Sequence, residues 1–356
     1  MVNKRIVFAA GGSGGHVFPA VALCKQLNKQ RVEIYCDQRS EKYIRETEKH
    51  IKFQTFFIEK PVGGIIQKLK FLYSIVKATV ACMLDFLSDR PKVVVGFGGY
   101  PSIPVLIAAS VLFIPIMLHQ QDSVFGKVNY LFSFAAKRIS LAFPATINLP
   151  MIVKFKTFHS GIIFRDDFLK IAAKKPGGKK FNILIIGGSQ GAKSLSLPIV
   201  KALAFLEPDR QKKLKVVHQV REEYLDDAKK LYSQTKIENE VATFFPDIPH
   251  RLAAADLVVS RAGAGGIVEI MALGKPAILV PLPTSRDDHQ FYNAKFLHDK
   301  GAAIMIEEQS FSPIEFINTI EQLIANADSR ELIGERARKL FKNDALKIII
   351  DEIKKI

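Results

Sequence analysis

Residues 256–283 read DLVVSRAGAGGIVEIMALGKPAILVPLP, and residues 287–297 read DDHQFYNAKFL. The first segment predicts a short apolar strand over 257–260 that runs into Arg261-Ala262-Gly263-Ala264-Gly265-Gly266, and a helix from about Ile267. A Lys275-Pro276 turn and a buried strand over 277–280 follow. Strand, glycine turn, helix and strand is the unit from which parallel α/β sheets are wound. The helix is apolar at Ile267, Val268, Ile270, Met271 and Leu273, yet it carries Glu269 in their midst. A period of 3.6 residues sets Gly265 and Gly266 one turn before Glu269. Such a start suits a ligand with two ends: a phosphate drawn to the helix N-terminus and a ribose or sugar diol that donates to the carboxylate.

The same pattern occurs twice more. Residues 5–10 form an apolar strand that ends in Gly11-Gly12-Ser13-Gly14-Gly15-His16, with a helix expected over about 19–28. Residues 181–186 form another, ending in Gly187-Gly188-Ser189-Gln190-Gly191-Ala192. That internal echo predicts two similar α/β domains, and 356 residues are enough for both. His16 follows its glycine turn directly, where a side chain meets whatever binds there. An imidazole with an unperturbed pKa near ~6.5 suits proton transfer, so His16 reads as a catalytic or ligand-binding group.

Further strands are expected over 33–36, 93–96, 114–118, 215–219 and 241–245. Two strand-end loops carry polar chemistry: Gly98-Gly99-Tyr100-Pro101-Ser102, and His119-Gln120-Gln121-Asp122. Ligands of open α/β sheets collect at such carboxyl ends. Residues 329–356 read as helical, with lysine-rich faces.

Composition narrows the class. With 48% hydrophobic and 24% charged residues the chain is a folded globular protein, not a disordered one. Cys24, Cys36 and Cys82 show no CxxC spacing, which excludes a zinc ribbon or disulfide framework and fits a reducing cytoplasm. The N-terminal apolar run is too short for a signal-peptide core. The uncharged stretch 93–118 is broken by three glycines and three prolines, so it reads as strand, turn, helix and strand rather than a membrane span. The net charge of +16 is uneven: residues 1–162 hold 21 Lys+Arg against 9 Asp+Glu, and the remainder 30 against 26. The first half should therefore seek an anionic partner. Residues 65–87 predict a helix that is apolar on more than one stripe, with Lys68, Lys70 and Lys77 among the apolar positions. It suits either lipid headgroups or a core position between two layers.

Taken in order, GGSGGHVFPA, GFGGYPS, HQQD, GGSQGA, RAGAGGIVEI and DDHQFYNA resemble the MurG family of peripheral membrane N-acetylglucosaminyltransferases, over nearly the whole chain. The resemblance implies a GT-B architecture, two Rossmann-like doubly wound parallel-sheet domains with the active site in the cleft between them. The first, 1–162, would face acceptor and membrane. The second, 163–340, would bind UDP-GlcNAc, and 341–356 would form a C-terminal helix able to pack back on the first. The implied reaction is inverting transfer of GlcNAc from UDP-GlcNAc to the 4-hydroxyl of MurNAc on lipid I, giving lipid II. No cofactor or metal is implied, and the chain has no DxD motif to hold one. The implied partners are UDP-GlcNAc, lipid I and the anionic inner leaflet at the cytoplasmic face of the bacterial membrane, with no nucleic acid.

Carried over by position, the donor pyrophosphate and sugar would meet Ser13, Gly14, Gly15, Asp122, Arg165 and Ser189. Uracil would meet Phe245, the diphosphate Ala264, Gly265, Gly266, Ile267 and Val268, the ribose Glu269, and the sugar Gln290. His16 would be the base, with Asp122 as a second catalytic candidate. Gly98, Gly99, Tyr100, Ser102 and Asn129 would form the loop for acceptor and pyrophosphate. Two departures stand out. The family's His-Glu-Gln-Asn is His119-Gln120-Gln121-Asp122 here, so a carboxylate role is lost or moved to Asp122. Its Gly-Asn-Pro-Val before the arginine is Gly161-Ile162-Ile163-Phe164. Among other classes, a nucleotide-dependent oxidoreductase would want GxGxxG and an acid ending the second strand, and GGSGGH does not fit. A UDP-GlcNAc 2-epimerase would not need the basic first domain. A non-catalytic membrane or nucleic-acid binder would leave the glycine loops, His16 and Glu269 unexplained.

Overall fold

The computed structural model of the protein describes residues 4–27, 30–47, 50–60, 62–164, 171, 179–187 and 193–356. The chain divides into two compact units, Met1–Phe164 with Lys342–Ile356, and Arg165–Phe341.

In the first unit the strands are β1 (Ile6–Ala9), β2 (Val32–Asp37), β3 (Lys52–Phe56), β4 (Val93–Gly96), β5 (Ile116–Gln120), β6 (Arg138–Leu141) and β7 (Thr157–His159). The helices are α1 (Gly14–Gln26), α2 (Gln38–Thr47), α3 (Ile65–Ser88), α4 (Ile103–Val111) and α5 (Lys127–Ser133). The strands pair in the order β3-β2-β1-β4-β5-β6-β7, all parallel. The order reverses between β1 and β4, and ligands of doubly wound sheets bind at the carboxyl ends of strands flanking such a switch point.

Alternation along the strands builds two cores. Ile6 and Phe8 face one way, packing with Val17, Ala20 and Val21 of α1. Val7 and Ala9 face the other, packing with Cys82 and Phe86 of α3, Val105 and Leu106 of α4, and Val128 and Phe132 of α5. The last helix, here α14 (Ala345–Lys355), returns to the first unit, where Leu346, Ile349 and Ile353 close the α1 side. Residues 161–164 are anchored there too: Ile162, Ile163 and Phe164 are buried, and the carbonyl of Ile163 accepts a hydrogen bond from Gln121. Buried Arg5 at the start of β1 pairs with Glu33 at 2.7 Å and Asp85 at 2.8 Å, and the Tyr35 hydroxyl donates to Asp85, which pins α3 to the sheet.

The second unit has β8 (Phe181–Ile186), β9 (Leu214–Gln219), β10 (Glu238–Ala242), β11 (Leu257–Ser260), β12 (Ala277–Leu279) and β13 (Ile304–Met305), paired in parallel as β10-β9-β8-β11-β12-β13. Its helices are α6 (Lys193–Ala204), α7 (Pro208–Gln211), α8 (Leu225–Ser233), α9 (Ile248–Ala254), α10 (Ala264–Leu273), α11 (His289–Asp299), α12 (Pro313–Ala325) and α13 (Ala327–Leu340). Its switch point lies between β8 and β11, so each unit holds one of the two expected α/β sheets.

Several boundaries move. α1 begins at Gly14, not near Pro19, and α10 at Ala264, not Ile267. In both, an extended N-cap residue, Ser13 or Gly263, leads into a first turn that holds two glycines, Gly14 and Gly15 or Gly265 and Gly266. β5 starts at Ile116 because Pro115 cannot donate to the ladder. β10 covers 238–242 instead of 241–245: its exposed edge position tolerates Glu238 and Glu240.

Candidate functional site

In the first unit the turns after β1 and β4 interlock. Gly99 has φ +77°, and a Cβ there would stand 2.5 Å from the carbonyl oxygen of Gly11 and 3.1 Å from His16 Cδ2. A Cβ on Gly98 would stand 3.4 Å from His16 Cε1. The half-buried imidazole of His16 therefore lies on the Gly98-Gly99 turn, in the first turn of α1, and is placed there by backbone packing. Ser13, Gly14 and Gly15 open the same helix, whose first turn holds no acidic residue to compete for its positive end. Gly12 N–H donates to Asp37 Oδ1 and Ser40 Oγ, both at 3.0 Å. Asp37 stands where a dinucleotide enzyme keeps its ribose-binding acid. Here it is 1% exposed, with Oδ1 taken by Gly12 and Ser40 and Oδ2 by Arg39. Composition alone had not singled out this brace, although an acid at a strand end was a signal for it.

Tyr100 carries the turn outward: Arg39 reaches its hydroxyl and lies over its ring, and Phe71 of α3 meets its edge. Ser102 is fully buried with its hydroxyl donated to Gly99 O at 2.7 Å, so it shapes the loop. A cavity of about 290 Å³ in this unit is lined by Asp37, Arg39, Glu59, Lys60, Gln67 and Lys70.

The loop after β5 is held from within. Gln120 donates to Val124 O at 2.8 Å and accepts from Gly126 N and Asn129 Nδ2 at 3.0 and 2.9 Å. A glutamate there would lose the donor to Val124, so this loop is built for the amide. His119 is wholly buried, between Ser140 Oγ at 3.0 Å and Gln121 Oε1 at 2.6 Å. Burial pushes its pKa down to about 4, against the opposing hydrogen bond to Gln121, and the ring is neutral. Asp122 and His16 both act on that ring's charge, which puts the three residues in one electrostatic neighbourhood. Asn129, 2% exposed, donates to His119 O and Gln120, while its Oδ1 is buried with no partner among the described residues.

In the second unit α10 starts directly behind β11. A Cβ on Gly263 or Gly265 would meet nothing within 4 Å, and one on Gly266 would clear Ser260 Oγ by 3.7 Å. Gly265 is exposed and Glu269, one turn on, is half-buried, while the side chains of Ala264, Ile267 and Val268 belong to the core. What those three can offer a ligand is backbone. Arg261 does not point at this opening: it donates to Val280 O and Pro281 O at 3.0 and 3.1 Å and pairs with Glu308 at 2.6 Å. Asn293 of α11 donates to Ala262 O, bracing the turn from behind. Gln290 Oε1 accepts from Leu282 N at 3.1 Å, so its amide nitrogen is the end that can donate to a sugar hydroxyl. Asp287 and Asp288, just before α11, both have left-handed backbone, φ +52° and +54°. Phe245 is buried under the Arg251 guanidinium, 4.2 Å from its ring centroid, in the loop between β10 and α9. Arg165 and Ser189 lie outside the described residues.

Known proteins resemble this chain in both sequence and structure. Residues 6–141 match the glycosyltransferase family 28 N-terminal domain, and residues 182–349 match the family's C-terminal domain. A protein of Rickettsia bellii is 38% identical over 95% of both chains, and one of Wolbachia from Brugia malayi is 34% identical over 97% of both. Each is named UDP-N-acetylglucosamine--N-acetylmuramyl-(pentapeptide) pyrophosphoryl-undecaprenol N-acetylglucosamine transferase. The crystal structure of Acinetobacter baumannii MurG superposes with a TM-score of 0.80 at 31% identity, covering 99% of this chain and all of that one. A UDP-GlcNAc 2-epimerase from Neisseria meningitidis shares the fold, with a TM-score of 0.69 at 14% identity over 99% of this chain and all of that one.

Proposed function

The chain belongs to glycosyltransferase family 28 and, within it, to the MurG family, and from that premise we propose that it transfers GlcNAc from UDP-GlcNAc to the 4-hydroxyl of MurNAc in lipid I, forming lipid II. One observation carries the reading: relatives bearing the transferase name align with 95–97% of the chain, a span that includes both the His16 turn and the Glu269 helix.

The first unit receives the acceptor and the second the donor. Amides of Gly265 and Gly266 at the start of α10 face the UDP diphosphate, with Ser189 and Arg165 as further contacts. Glu269 accepts from the ribose, Gln290 donates to the sugar, and the backbone at Phe245 meets uracil. The imidazole of His16 takes the proton of the 4-hydroxyl as its oxygen bonds to the anomeric carbon. The bond from that carbon to the diphosphate oxygen breaks, and UDP leaves with the electron pair and inversion. Asp122 steadies the imidazolium so formed, and Ser13, Gly14 and Gly15 contribute the amides of α1. Asn129 Oδ1 is an acceptor for a donor group of the bound substrate, beside Gly98, Gly99 and Tyr100. Ser102 holds that turn in shape.

Two substitutions separate these roles. His16→Ala should lower kcat by about 10²–10⁴ with UDP affinity little changed. Glu269→Ala should weaken UDP and UDP-GlcNAc alike. Unchanged turnover in the first variant removes His16 from the mechanism; unchanged UDP affinity in the second removes Glu269 from the donor site.

The setting is the cytoplasmic face of the membrane, where the enzyme binds peripherally to the anionic leaflet. α3 is long and apolar enough to cross a bilayer, but Ile75, Ala78, Cys82 and Phe86 are buried within the unit. Its other side exposes Ile65, Ile66, Leu69, Tyr73 and Leu84, each at least 61%. Phe113 is 89% exposed at φ +50°, in a turn held by Arg90. A bulky residue kept in left-handed backbone and turned to solvent suits insertion at a headgroup boundary.

A further inference from the structure

The six-residue 3-10 segment Met151–Lys156 lies between β6 and β7. At three residues per turn, Ile152 and Phe155 share one edge and Met151 and Lys154 the next, while Val153 turns inward. Val153 is 1% exposed and packs with Val128 and Phe132 of α5, whereas Met151, Ile152 and Phe155 are 81%, 70% and 79% exposed. Lys156 Nζ donates to the carbonyl of Phe134, just past α5, at 2.8 Å. On α5's outer side Tyr130, Leu131 and Phe134 are exposed as well. Two neighbouring elements thus present one apolar face.

The charge of this region is of one sign. Between Ser123 and Ser160 there is no Asp or Glu, and the basic residues are Lys127, Lys137, Arg138, Lys154 and Lys156. Arg138 is paired with Glu352 at 2.8 Å, and Lys156 donates only to the neutral carbonyls of Ser133 and Phe134 and keeps its charge. Large apolar side chains interleaved with lysine do not make a protein-binding core, from which lysine is depleted; they match an anionic bilayer, where lysine stems lie in the apolar boundary and the ammonium groups meet phosphates. α5 and Val153 also pack on the same side of the sheet as α3, in one shared core.

We infer that the face formed by Met151, Ile152, Phe155 and the outer side of α5 is a second contact with the anionic leaflet, separate from α3. The inference rests on the membrane reading proposed above. α3 follows β3 and crosses toward β4, whereas the 3-10 segment joins β6 to β7 at the far edge of the sheet. Contacts at both ends of one helical layer fix the unit's tilt on the bilayer, and with it the height of the β1 and β4 turns that carry His16 and Gly98. A single contact at α3 would let the unit rock.

The test is co-sedimentation of the full-length protein with vesicles of phosphatidylethanolamine and phosphatidylglycerol. Wild type is compared with Met151→Ser/Ile152→Ser/Phe155→Ser and, separately, with Leu69→Ser/Tyr73→Ser/Val76→Ser. All six side chains are exposed, so thermal stability and UDP affinity should stay at the wild-type level in both variants. The first variant should lose about tenfold or more in vesicle affinity, as should the second. Wild-type vesicle binding by the first with weakened binding by the second overturns the second contact and leaves the α3 reading in place. Wild-type binding by both overturns the two together. If the first variant keeps vesicle binding but loses a self-association seen by light scattering without lipid, a second copy covers this face and the inference fails.

Discussion

Gly99 and Gly265 both sit at the mouth of a strand–helix turn, and their surroundings demand different things. At Gly99 the positive φ and the carbonyl of Gly11 exclude any side chain, so the fold itself requires glycine. At Gly265 an added Cβ would meet nothing within 4 Å, so the fold tolerates alanine, and the open space is where the proposed function puts the donor diphosphate. Gly99→Ala should cost about 2 kcal/mol or more in unfolding free energy. Gly265→Ala should leave the melting temperature unchanged or raise it, through a helix propensity gain of up to about 1 kcal/mol, while UDP affinity falls about tenfold. Thermal unfolding and UDP titration of both variants check this, and wild-type UDP affinity in Gly265→Ala would contradict the donor assignment. The motif made both glycines visible in the sequence but could not tell them apart, because the difference lies in atoms from distant segments. Gln120 shows the same limit. Its departure from the family pattern was plain, whereas the hydrogen bond donated to Val124 O, which explains an amide there, required the folded loop.

At the level of elements, strands that end in a glycine turn were legible: β1, β4, β8 and β11 are short apolar runs with punctuation. β3, β6, β7 and β13 were missed. β3, β7 and β13 lack fully buried runs, and β6 alternates polar and apolar residues over only Arg138-Ile139-Ser140-Leu141 with no glycine turn after it, so the signal at each is short or weak. The C-terminal helix was visible as a helix from its residues, whereas its return to the first unit was expected only from the family resemblance. α14 buries Ile349 and Ile353 to 1% exposure or less in the first unit's core, far from it in sequence. Ile349→Asp should therefore destabilise the first unit by about 3 kcal/mol or more. Segment-resolved hydrogen exchange should show faster exchange in the strands and helices of that unit and no change in β8 to β13; equal acceleration in both would contradict the placement of α14.

Across the whole molecule, each unit holds one buried neutral histidine. His119 in the first and His218 in the second have pKa values pushed down to about 4 from an ordinary 6.5 by burial. Between these values the unfolded chain binds a proton at each position that the folded chain does not. Their contribution is complete above about pH 6.5 and is lost as pH falls toward 4, at about 1.4 kcal/mol per pH unit for each histidine. Urea unfolding followed from pH 7 to pH 4 should show this decline in both units, with the slope in the second unit flattened by His218→Gln; an unchanged slope would contradict it. The two-domain plan and the uneven charge were both readable in composition and in the repeated glycine turns. The exposed apolar face at Met151–Phe155 was not, because only the fold shows that Val153 turns inward and its neighbours do not. The reaction itself is tested by GlcNAc transfer from UDP-GlcNAc to a short-chain lipid I analogue, with and without EDTA. A disaccharide product of inverted anomeric configuration is expected, formed at the same rate in EDTA and about 10²–10⁴-fold more slowly by His16→Ala. UDP-GlcNAc binding without transfer, or transfer abolished by EDTA, would contradict it.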